Sequence, residues 1–164
     1  MNRLLIMACS ATKHEADFSI SARNRYTGPV WQTLKAADPT GELAHVTVLS
    51  AKHGWIDGSD LIENYDQKMT SERGRELLEQ GLSIETRCLL AELSGHGRAK
   101  FDEVCIVGGH LYQGVARELV REAMETMYHA PFTADVRITE ICDEIGYMRQ
   151  QLRAWLAAGQ QVAA

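Results

Sequence analysis

Hydroxyls, amines and imidazoles recur in this sequence at the ends of apolar runs, and that recurrence is the first pointer to chemistry. His45-Val-Thr-Val-Leu49 stops at Ser50, Lys52 and His53, and the chain then turns through Gly54 and Gly58 toward Glu63, Tyr65 and Asp66. Leu4-Leu-Ile-Met-Ala8 stops in the same way at Ser10, Thr12 and Lys13. Glu103-Val-Cys-Ile-Val107 stops at Gly108, Gly109 and His110, with Tyr112 one turn further on. Each apolar run reads as a buried strand, and in an open parallel α/β sheet the ligand crevice lies outside the carboxyl ends of the strands. Ser10, Thr12, Lys13, Tyr26, Ser50, Tyr65, Gly108, Gly109, His110 and Tyr112 are therefore the candidate substrate-binding residues, and Lys52, His53, Glu63 and Asp66 the candidate catalytic ones.

These types fit cleavage or exchange of an N-glycosidic bond, which passes through an oxocarbenium-like state. A carboxylate, Glu63 or Asp66, stabilises such a state while a proton donor, His53 or Lys52, assists the leaving base. Tyr26 or Tyr65 supplies a stacking ring. Lys13 and the Gly108-Gly109 turn supply an anion cradle, since glycines ahead of a helix let backbone N–H groups approach a phosphate. Neither a dinucleotide fingerprint nor a phosphate-binding Walker loop is present, so no cofactor is expected. His53 and His110 lack metal-ligand spacing, and no metal is expected. Ser50 and His53 lack a nucleophile-elbow context.

The elements that must position these groups follow from periodicity. A polar loop over residues 14 to 27 carries Arg23, Arg25 and Tyr26. Gly28-Pro29 then opens a helix whose apolar face is Val30, Trp31 and Leu34. Thr70 or Ser71 caps a long helix with a stripe running from Leu77 to Leu93, weakest at Gly81 and ended by Ser94-Gly-His-Gly97. His110 to Met127 is helical. Val136 to Ile141 alternates as an edge strand, and a last helix from about Ile145 closes at Gly159. Strands alternating with helices predict an α/β fold: a single three-layer domain over residues 1–160 with a mostly parallel sheet of about four strands, then a frayed tail over 160–164.

Composition sets the bounds. The 164 residues are 45% hydrophobic and 24% charged, as expected of one globular domain, and the net charge of -5 offers no broad footprint for duplex DNA. Cys9, Cys88, Cys105 and Cys142 form no CxxC pair and read as reduced, small apolar side chains. No run approaches the ~18 apolar residues of a membrane span, so a cytoplasmic protein without membrane contact is expected.

Cys9-Ser-Ala-Thr-Lys13, Tyr26-Thr-Gly28, Leu49-Ser-Ala-Lys-His-Gly54, Leu61-Ile-Glu-Asn-Tyr-Asp66 and Gly146 ahead of an apolar helix together resemble the uncharacterised bacterial and phage domains similar to the peroxide-stress protein YaaA. The likeness covers most of the chain up to Asp66 and thins afterwards. It implies nucleotide or nucleic-acid metabolism in a phage or stress context. The expected function is thus a nucleoside, nucleotide or modified-base processing enzyme of hydrolase or transferase type. Two other readings stay open: a non-catalytic module binding a nucleotide or nucleic acid in stress response or phage defence, and a protein-interaction domain.

Overall fold

The computed structural model describes residues 2–94 and 100–160. Five strands form the main sheet: β1 (Arg3–Ala8), β3 (His45–Ser50), β4 (Gly54–Asp57), β6 (Phe101–Val107) and β7 (Phe132–Ile141), in the order β4-β3-β1-β6-β7. β1, the most apolar strand, occupies the centre. It pairs in parallel with β3, Ala8 opposite Leu49, and with β6, Met7 opposite Val107. Those registers bring Ser10, Ser50 and Gly108 to one end of the sheet.

The sheet has one strand more than the sequence predicts. Gly54–Asp57 folds back antiparallel on β3, with Ser50 opposite Gly54. A glycine start and four residues give no strand periodicity, so the segment reads as turn. The hairpin is set by Gly54, at φ 73°, a conformation only glycine adopts without strain. The Ser50 hydroxyl secures the loop by accepting the N–H groups of Lys52 at 3.2 Å and His53 at 3.1 Å.

Alternation of side chains across the sheet builds two cores. Leu5, Met7, Val48 and Cys105 meet α1 (Ala22–Arg25), α2 (Pro29–Ala37) and α6 (Ile145–Gln160). Leu4, Ile6, Val104 and Ile106 meet α3 (Ser71–Gln80), α4 (Ile84–Ser94) and α5 (His110–Thr126) on the other face. The predicted three-layer α/β domain is what forms. The long helix expected from Thr70 divides at Gly81, at φ 65°, where α3 ends and the chain turns. Thr70 caps α3 by accepting the Arg73 N–H at 3.1 Å. The last helix runs through Gly159 to Gln160. The expected helix end at residues 95–97 and the tail at 161–164 lie outside the described residues.

The loop over residues 14 to 27 is more ordered than its polarity suggests. It contains β2 (Ile20–Ser21), which pairs antiparallel with β5 (Leu61–Ile62), and α1. Arg25 is fully buried there and donates to the backbone carbonyls of His14, Ala16, Phe18 and Ile62. Among the described residues no helix is long and apolar enough to cross a membrane.

Candidate functional site

The switch in strand order falls between β1 and β6. From β1 the chain leaves toward α2 on one face, and from β6 it enters α5 on the other, so their carboxyl ends part and leave a crevice. The crevice has a volume of about 250 Å³. Met7, Val107 and Met148 give it an apolar floor, Trp31 forms one wall, and Cys9, Ser10 and Gly109 stand at the strand ends. The Trp31 indole is fixed by donating to the Ala8 carbonyl at 2.9 Å. Ser10 holds the opposite turn, its hydroxyl accepting the Gly28 N–H at 3.1 Å and donating to the Thr12 carbonyl at 2.8 Å. α2, α5 and α6 all begin at this crevice, and neither Gly28 nor Gly109 provides a side-chain cap.

Gly108 allows the close approach of β6 to β1, since a Cβ there would sit 2.6 Å from that of Ala8. Gly109 is different. An added Cβ would meet nothing within 4 Å, and its φ of -68° suits any residue.

Beside the crevice, Tyr65 is the hub of a polar cluster. Its hydroxyl bonds to Ser50 Oγ at 2.7 Å and to Tyr26 OH at 2.7 Å. Its ring lies 4.5 Å from Lys13 Nζ and 5.5 Å from Lys52 Nζ, and His53 contacts it edge-on at 5.2 Å between centroids. Two ammonium groups gathered on one ring, each attracted by its quadrupole, form a local positive field suited to an anion. Burial pushes the Tyr65 hydroxyl far above its usual range and the Tyr26 hydroxyl up to about 12, so both stay protonated at neutral pH. Burial, and then the charge of Lys52, lowers the pKa of His53 and so favours its neutral imidazole. Thr12, Lys13, Glu15, Tyr65 and Asp66 line an open basin of about 600 Å³ next to the crevice.

Several expected residues take other places. Tyr26 is 0% exposed, packed 5.2 Å from Trp31, and has no free face on which a base can stack. Ser50 is equally buried and reaches the site only through the Tyr65 hydroxyl. Lys52 and His53 line a separate, smaller cavity with Trp55 and Arg73 beneath α3. Glu63 is exposed and lines neither the crevice nor the basin, whereas Asp66 does line the basin. His110, at the first position of α5, turns to Cys142 instead of the crevice.

Cys9 escaped the sequence reading. It lines the crevice and shares a 3.0 Å hydrogen bond with the Tyr112 hydroxyl, itself held protonated by burial. The signal was its position immediately before Ser10, at the same strand end as the other polar groups. Of the four free cysteines only Cys105 is fully buried; Cys88 is exposed. Among the described residues no group of three His, Cys, Asp or Glu side chains is placed to hold a metal ion.

Lys52 is exposed, so its contribution to anion binding is screened and falls at the low end of charge-assisted contacts. Lys52→Met is expected to leave the melting temperature unchanged and to weaken binding of a nucleoside monophosphate about ten-fold, as read by calorimetric titration. Equal dissociation constants would remove Lys52 from the site. No model of a known protein family matches the chain, and no curated protein matches it.

Proposed function

We propose that the protein binds a nucleoside phosphate or a modified nucleoside in the β1/β6 crevice and cleaves or exchanges its N-glycosidic bond. One observation carries this reading: the single segment from Cys9 to Lys13 lines both the apolar crevice, through Cys9 and Ser10, and the basin holding Lys13, Tyr65 and Asp66. A flat heterocycle fits the apolar part, and a phosphate fits the lysines beside Tyr65. About 250 Å³ lies just below the roughly 300–1,000 Å³ of pockets for drug-sized ligands, which suits one heterocycle with its sugar and not a dinucleotide.

In this reading Asp66 is the carboxylate that stabilises developing positive charge on the sugar. Burial disfavours the imidazolium of His53 and holds the Tyr65 hydroxyl protonated, so protonation of the leaving base falls to the Lys52 ammonium. The alternative of a nucleic-acid-binding module loses its main support, because Arg25 is buried among carbonyls and Arg23 donates to the Asp38 carbonyl. Neither joins Lys13 in an exposed cationic stripe.

The test is to incubate the protein with nucleosides, their 5′-monophosphates and deazaguanine nucleosides, and to quantify free base by chromatography. Release above the uncatalysed rate for one class is the expected result. Binding without release would leave a nucleotide-binding module, and neither binding nor release would overturn the proposal.

A further inference from the structure

At the far rim of the crevice, Cys142 directly follows β7 and α5 begins with His110. Cys142 Sγ lies 3.4 Å from His110 Nδ1, within sulfur hydrogen-bonding distance. The thiol is partly exposed, and Gly109, which precedes His110, and Ile145, three residues after Cys142, line the crevice itself. We propose that Cys142 and His110 form a nucleophilic thiol–imidazole pair that takes a carbon electrophile, such as an activated acyl group, presented at this rim. The inference is independent of the glycosidic reading above.

The thiolate is the reactive form of cysteine, and an adjacent imidazole promotes it by accepting the thiol proton. The step balances simply. Nδ1 takes the proton, Sγ forms the S–C bond, and the leaving group departs with the electron pair of its bond to carbon, recovering the proton from the imidazolium. The N-cap of α5 is Gly109, without a side-chain cap, so first-turn N–H groups stand beside the pair to meet negative charge on an acyl oxygen. The other charged groups on the flanking segments do not favour a thiolate. Glu140 is bound to Arg117 through 2.6 and 2.7 Å contacts, Asp143 and Glu144 are carboxylates, and Arg149 is turned to Thr33. Activation of Cys142 therefore depends on His110.

Cys88 provides an internal standard. It is exposed on α4, so accessibility alone makes it the faster of the two thiols. The experiment is alkylation of the full chain with iodoacetamide at pH 7, in which the S–C bond forms and iodide leaves, followed by peptide mapping of each cysteine against time. Cys142 is expected to react at least ten-fold faster than Cys88 at pH 7. His110→Gln is expected to bring Cys142 down about ten-fold, leaving Cys88 unchanged. Labelling of buried Cys105 reports whether the variant has unfolded, in which case the wild-type rates decide. Cys142 reacting no faster than Cys88, or a folded variant keeping the wild-type rate, would overturn the proposal.

Discussion

Gly109→Leu is expected to fold normally and to lose affinity for a nucleoside monophosphate by at least about 100-fold, or roughly 2.7 kcal/mol. The backbone of Gly109 is already in an extended conformation that leucine shares, and its added Cβ meets nothing within 4 Å. Replacing glycine at an N-cap with an apolar residue costs about 1 kcal/mol or less, so the melting temperature falls by only a few degrees. The new side chain instead competes with ligand for a crevice of about 250 Å³. Gly28 is the wrong place for the same experiment, since a Cβ there would come 2.4 Å from Ser10 Oγ and disturb the turn that shapes the site. Calorimetric titration of both proteins with the same monophosphate reads the effect; an unchanged dissociation constant would move the ligand elsewhere.

Arg25→Met is expected to cost about 4 kcal/mol of stability. The guanidinium is 0% exposed and donates to four backbone carbonyls at 2.6 to 3.1 Å, three of them in the loop before β2 and one, that of Ile62, in β5. Methionine keeps the stem's packing and orphans these acceptors, each worth roughly 1–3 kcal/mol when left unpaired in a buried place, with water replacing part of the loss. For a domain of this size the melting temperature should fall by roughly 8–16 °C. Arg121 is the control. It holds two ion pairs, to Glu118 and Glu125, on the exposed face of α5, where solvent screens them, and its replacement by methionine should leave the melting temperature nearly unchanged. Thermal unfolding followed by circular dichroism compares the two, and similar losses would refute the structural role given to Arg25.

Arg25 also marks where sequence reading runs out. The strand ends were legible because continuous apolar runs stop abruptly at Ser10, Ser50 and Gly108, and Gly81 announced the helix break by its own conformational freedom. The polarity of residues 14 to 27 pointed to a loop carrying its cations toward the site, yet Arg25 organises that loop from inside by satisfying its carbonyls. β4 was hidden because Gly54-Trp-Ile-Asp57 is too short for a period and begins with the glycine that makes its hairpin. Contacts between distant residues carried no local signal at all. His110 and Cys142 meet because the parallel register of β6 and β7 aligns their strand ends, and Tyr26 and Tyr65 because β2 pairs antiparallel with β5.

In the proposed function the crevice takes a heterocycle and the adjoining lysine field its phosphate. Thermal shift of the unmodified protein against matched series of free base, nucleoside and nucleoside 5′-monophosphate, with inorganic phosphate alone as a fourth arm, tests it most directly. A ligand at 100 times its dissociation constant adds about 2.7 kcal/mol, or roughly 5–10 °C. Within at least one series the monophosphate is expected to stabilise most, the nucleoside less and the base least, with phosphate alone giving little. No shift in any series, or a shift by inorganic phosphate equal to that of the nucleotides, would contradict it.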